Sequence, residues 1–147
     1  MDSTFDVASV QYILTPIAGW LVAQSAKYVI QLHKDGLQWR DFTASGGMPS
    51  SHAAFMWSLT TLIGWQQGWE TAIFGLSVAM TMLVMYDAMD VRRATGQQTK
   101  ALQELEQKTK VKLTTKIHKS KGHTPAEVIV GSVVGMLVGS CAYIFLQ

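Results

Sequence analysis

The run from Ala126 to Leu146 constrains the fold more than any other feature. It is 21 residues long, carries one charge, Glu127, at its start, and has none after it. At helical rise it reaches about 31 Å, the thickness of a bilayer's hydrocarbon core. Gln11 to Leu32 is a second mostly apolar stretch of similar reach, roughly 33 Å by the same rise. Ala53 to Gln66 is shorter, and it continues through Gly68 and Trp69 into the block Thr71 to Met89, which is long enough to span alone. These two read as a helical hairpin turning near Gln66 to Glu70, with Trp65 and Trp69 at headgroup level, where amphipathic rings are favoured. Only 15% of the residues are charged against 48% hydrophobic, which excludes disorder or a nucleic-acid-binding tail as a description of the chain.

The pattern predicts an all-α polytopic membrane protein with about four transmembrane helices. A single membrane domain, residues 1–147, would hold spans at about 11–32, 51–67, 71–89 and 126–146, with a basic cytoplasmic segment at 90–122. The first span is expected to stay in the mature protein, because residues 1–6 carry Asp2 and Asp6, no Lys or Arg, and no signal-peptide flank. Gly131, Gly135 and Gly139 recur every four residues on one face of the last span, so a neighbouring backbone is expected to approach there. The lone Cys141 cannot form an intramolecular disulfide and is expected to be a small packed residue. Gln97 to Lys112 is rich in helix formers, with Leu102 and Leu105 among sparse apolar positions, and reads as an amphipathic helix on the membrane surface. The Lys cluster from Lys108 to Lys121 would be drawn to anionic headgroups.

All twelve Lys and Arg lie between Lys27 and Lys121. Four antiparallel spans bring the end of the first, the start of the second, the end of the third and the start of the fourth to one side of the membrane. The unusual polar residues lie at those four points: Lys34 and Arg40; Ser50, Ser51 and His52; Asp87, Asp90, Arg92 and Arg93; His123 and Glu127. The excess of positive charge predicts that this side is cytoplasmic and both termini are outside. Ser45 to His52 combines a flexible Gly pair, a Pro, two N-cap candidates and a His at a helix start, where backbone N–H groups and the helix dipole suit a phosphate. Ser as a simple N-cap accounts for Ser50 or Ser51 without a ligand. Thr124 and Glu127 form a capping-box pattern with Pro125 at the first helical position, which leaves His123 without a structural explanation. Two histidines on one face can divide nucleophilic and acid roles between them.

The stretch Pro49-Ser50-Ser51-His52 is similar to the Pro-Ser-Gly-His motif of the type 2 phosphatidic acid phosphatase superfamily, and His123 followed four positions on by Glu127 resembles its His-x-x-x-Asp. Together with Tyr86 to Gln97 and Gly122 to Val128, these motifs resemble the divergent branch of that superfamily, small membrane proteins related to acid phosphatases and vanadium-dependent haloperoxidases. The resemblance covers nearly all of the chain after Leu32. It implies His52 as general acid, His123 as the nucleophile that becomes a phosphohistidine, and Glu127 as its orienting group. It also implies Lys34, Arg40 and one of Arg92 or Arg93 on phosphate oxygens, with Gly47, Ser50 and Ser51 completing a cradle. Arg40 is followed by Asp41 where the superfamily has Pro, Ser51 replaces Gly, and Arg93 lies 30 positions before His123.

The expected function is therefore a lipid phosphatase acting on a phosphomonoester such as phosphatidylglycerophosphate or phosphatidate, with isoprenyl diphosphates as competitors. No cofactor or metal is expected in this reading. The expected partners are a phosphorylated membrane lipid and the bilayer, with no nucleic acid, and a homo-oligomer is compatible with the sequence. In the supporting role, Asp87 and Asp90 would hold the basic groups at the mouth. Two alternatives stand beside it. One is a Mg-dependent lipid phosphoalcohol transferase using Asp87 and Asp90; the other is a non-catalytic scaffold of the same fold. The topology has a direct test. Cys introduced at Ser45 in a Cys141→Ser background should resist an impermeant thiol reagent in intact cells and react after permeabilisation; labelling of intact cells would invert the orientation.

Overall fold

The computed structural model describes residues 7–35, 47–109 and 122–146. It is a helical bundle of α1 (Val7–Asp35), α2 (Ser51–Gln67), α3 (Ala72–Tyr86), α4 (Arg92–Thr109) and α5 (Pro125–Phe145), with a π-turn, Asp87–Val91, between α3 and α4. Among the described residues, three continuous helical stretches are long and apolar enough to cross a membrane: Val10–His33, Ala72–Thr109 and Pro125–Phe145. The remaining predicted span, 51–67, is α2, 17 residues and roughly 26 Å long. It is the centre of the bundle, packed by α1, α3 and α5.

That position explains its composition. Ser51, Ser58, Thr60 and Thr61 are buried on α2, and a helix enclosed by three others can carry hydroxyls that a lipid-facing helix could not. Each finds a use where a bond is resolved: Thr60 and Thr81 share a 2.8 Å hydrogen bond, and the Ser58 hydroxyl donates to the Phe55 carbonyl at 2.9 Å. The outer faces are apolar, as lipid requires: Ile13, Leu76, Leu83, Leu137 and Ile144 are each exposed.

The predicted close approach is between α5 and α2. A Cβ on Gly131 would collide with the Ser50 carbonyl oxygen, while one on Gly135 or Gly139 would lie 2.5 Å from the carbonyl oxygen of Ala54 or Ser58. The α5 glycines therefore climb the backbone of α2 one turn at a time. α1 makes a similar contact through Gly19, whose Cβ would sit 2.9 Å from the Ala54 oxygen.

The far end of the bundle, away from the motif residues, is closed by polar and aromatic contacts. The Gln11 carboxamide donates to the Leu146 carbonyl at 2.5 Å and accepts from Gln66, so α1, α2 and α5 are tied together. Trp65 stacks on Tyr143 with ring centroids 5.6 Å apart, and Trp69 meets both Trp65 and Phe74 edge-on. The hairpin turns where expected, at Gly68, whose φ of 96° favours glycine.

Two expectations change. The amphipathic helix starts earlier than Gln97: α4 begins at Arg92 and continues α3 through the π-turn, because Leu76 to Thr95 contains neither Gly nor Pro to interrupt it. Its predicted end at Lys112, and the Lys cluster beyond residue 109, lie outside the described residues. Cys141 is exposed on the outer surface of α5, because the packed face of that helix is occupied by the glycines.

The glycine contacts generate a contrast. Gly135→Ala should lower stability by about 1–3 kcal/mol through overpacking. Gly75→Ala on α3, where nothing lies within 4 Å of the new Cβ, should leave it unchanged or raise it. Thermal unfolding of the purified protein in detergent checks both; equal effects would remove the close α2–α5 contact as the cause.

Candidate functional site

The site forms where α2 and α5 begin. Ser50 caps α2, its hydroxyl accepting from the Ala53 N–H, and its own N–H donates to the Glu127 carbonyl at 2.9 Å. Thr124 caps α5 in a full capping box: its hydroxyl accepts from the Glu127 N–H, and the Glu127 carboxylate accepts from the Thr124 N–H at 3.1 Å. A main-chain bond from one helix start to the other therefore places His52, in the first turn of α2, beside His123, which immediately precedes the α5 cap.

The two imidazole centroids are 6.2 Å apart with their planes at 64°. His123 Nδ1 lies 3.0 Å from the same Glu127 oxygen that serves the capping box. An ionised carboxylate only accepts, so Nδ1 must donate; in the neutral ring this leaves Nε2 as the basic nitrogen. The His123 side chain is 2% exposed and that of Glu127 20%, so the pair is held in a largely water-excluded setting. The main chain of His123 is held as well, its N–H donating to the Ala88 carbonyl in the π-turn at 3.0 Å.

Beside this pair is a cavity of about 400 Å³ lined by Lys27, Ile30, Gln31, Gly47, Met48, Thr124, Ala126 and Glu127. Gly47 adopts a φ of 90°, which favours glycine, and a side chain there would project against the aliphatic part of Lys27. Lys27 is 4% exposed and close enough to Glu127 for the carboxylate charge to act on its ammonium. Sequence reasoning did not single out Lys27, although the signal was present: it is the one charge between Val10 and Leu32. An ionisable residue inside an apolar span is by default a candidate for function. Gln24 and Gln31, three positions before and four after it, continue its helix face.

The structure thus brings together His52, His123, Glu127 and Gly47, and adds Lys27. Ser50 and Ser51 are buried at the helix start and do not line the cavity; Ser50 has its hydroxyl and N–H engaged within the protein. Lys34 lies near the end of α1, and Arg92 and Arg93 open α4, but their side chains lie outside the described residues, as does all of Arg40. Asp87 and Asp90 sit in the π-turn, and the Asp90 carboxylate accepts from the Tyr86 hydroxyl at 3.0 Å. No group of three or more His, Cys, Asp or Glu suited to a metal occurs among the described residues.

The chain matches the family described as the divergent PAP2 family over residues 8–138. It is 32% identical over 150 aligned positions to an uncharacterized membrane protein, YuiD, of Bacillus subtilis (strain 168), an alignment that covers 91% of this chain and 95% of the relative. No solved structure matches it. With a match that takes in α1, the capped starts of α2 and α5, and both histidines, this integral membrane protein belongs to the divergent PAP2 family.

Proposed function

We propose that the protein is a membrane lipid phosphatase that hydrolyses a phosphomonoester through a phosphohistidine at the cytoplasmic end of its helices. The observation that supports this best is the His123–Glu127 pair, 3.0 Å apart and beside His52, with Glu127 also lining a cavity that contains a buried lysine. Glu127 holds the His123 Nδ1 proton, and Nε2 attacks phosphorus. The bond from phosphorus to the lipid oxygen breaks, and protonated His52 gives its proton to the departing alkoxide. Neutral His52 then takes a proton from water as that water attacks phosphorus. The phosphorus–Nε2 bond breaks, inorganic phosphate leaves, and both rings return to their starting states.

Charge developing on the phosphoryl oxygens needs a fixed positive field. Lys27 is the described cation nearest the cavity, and its burial strengthens its action there. Lys34, Arg40, Arg92 and Arg93 are further cations that the chain carries near this end in sequence. Ile30 and Met48, both exposed, border the same cavity and give the lipid part of an amphiphile an apolar approach.

In mixed micelles, His123→Ala should insert and fold while losing turnover of phosphatidylglycerophosphate or phosphatidate by roughly three orders of magnitude or more. Glu127→Gln keeps a capping-box side chain but not the charge on Nδ1, so turnover should fall with little loss of stability. Activity should survive exhaustive chelation and be inhibited by vanadate, whose five-coordinate adduct imitates the transition state. Near-normal hydrolysis by His123→Ala would overturn the assignment. A magnesium requirement removed by Asp87→Asn and Asp90→Asn would move the chemistry to the carboxylates. A wild-type protein inert toward phosphatidylglycerophosphate, phosphatidate and isoprenyl diphosphates would favour the scaffold.

A further inference from the structure

We infer that the π-turn Asp87–Val91 is a positioning element for His123, acting through the Ala88 carbonyl. The inference rests on the phosphatase reading, since positioning for catalysis has meaning only if His123 reacts.

His123 lies outside α5, one residue before the cap, so helix geometry does not determine its backbone. Its bond to Glu127 orients the imidazole relative to α5. That bond alone gives the main chain of residue 123, which precedes the cap, no second fixed reference. The 3.0 Å bond from the His123 N–H to the Ala88 carbonyl supplies that constraint. Ala88 is 2% exposed, so the junction is enclosed.

The π-turn makes this bond available. In an uninterrupted α-helix the Ala88 carbonyl would be committed to the N–H four residues on. A π-turn bonds five residues on, contains one residue more per turn, and draws local carbonyls out of the regular ladder. At membrane depth a carbonyl drawn out in this way is costly unless another donor meets it. The His123 N–H is such a donor, so the irregular turn and the nucleophile's backbone stabilise each other. The irregularity falls where α3 passes the site; the described turns of α3 before it are regular helix, with Thr81 their one buried residue. His123 is consequently referenced to two independent elements: its ring to α5, its main chain to α3.

Residue count separates positioning from simple packing. Deleting Met89 should remove the extra residue and return the Ala88 carbonyl to the α ladder. Met89→Ala keeps the count and loses only a side chain. The readouts are amide exchange at His123 in protein labelled with [15N]histidine, where four residues contribute signals, and kcat and KM on a lipid phosphate in mixed micelles. The expected result for the deletion is fast exchange at His123 and a kcat reduced about 10²-fold, with KM little changed, as misplacement of a reacting group by about 1 Å produces. Met89→Ala should retain slow exchange and turnover. A deletion variant with His123 still protected, or with protection lost and kcat intact, overturns the inference. If the deleted chain does not fold, Ala88→Leu, which crowds the same junction, must give the same two losses; wild-type exchange and kcat in that variant overturn it as well. An inert wild type that still shows the exchange difference supports the anchoring of His123 and overturns the phosphatase reading alone.

Discussion

One main-chain hydrogen bond, from the Ser50 N–H to the Glu127 carbonyl, brings the two halves of the site together, and the glycine face of α5 makes it attainable. Residues 50 and 127 each belong to the start of a different helix, and the bond can form only if those helices touch backbone to backbone. Gly131, Gly135 and Gly139 permit that contact for the next three turns. In a bilayer the hydrophobic effect does not drive helices together, so close dispersion contact and interhelical hydrogen bonds must do it. The same contact brings His52 to within 6.2 Å of His123. Packing and site are consequences of one geometry.

The capping chemistry carries a double duty that follows from where the helices begin. Glu127 satisfies the Thr124 N–H, as any capping box would, and the same carboxylate oxygen meets the His123 ring. A helix start supplies unsatisfied donors and a positive dipole end. Here two such starts meet, and the Ser50, Ala53, Thr124 and Glu127 N–H groups are satisfied within the protein. Lys27 adds a buried amine from a third helix, and Gly47 brings the backbone against it without a side chain in the way.

Polarity is distributed by depth of burial in the bundle. The helix with the most buried hydroxyls, α2, is central, whereas α3 has one buried residue, Thr81, which pairs with Thr60 of α2. Apolar residues face outward along α3 and α5, the reverse of a water-soluble protein. Far-end contacts among Gln11, Gln66 and the Leu146 carbonyl close the bundle opposite the site, so α1, α2 and α5 are held at both ends.

The sequence by itself determined the helices, because apolar length and the absence of breakers are local properties: α1, α2 and α5 begin and end close to the predicted spans. It also determined the cap at Thr124, narrowed the α2 cap to Ser50 or Ser51, and marked the glycine face of α5 for a close backbone contact, since a four-residue glycine repeat has few other uses in a span; that the partner is α2 came from the structure. Three things required the tertiary structure. Lys27 stands in the middle of an apolar helix, and only the arrangement of α1 beside Gly47 and Glu127 shows that it faces the cavity instead of lipid. Ser50 and Ser51 look like ligand donors in a linear motif, yet the meeting of two helix starts engages the groups of Ser50 internally and buries both residues. The π-turn leaves no mark in composition or periodicity; its carbonyl meets the His123 N–H only because the bundle brings the residue before the α5 cap to the end of α3.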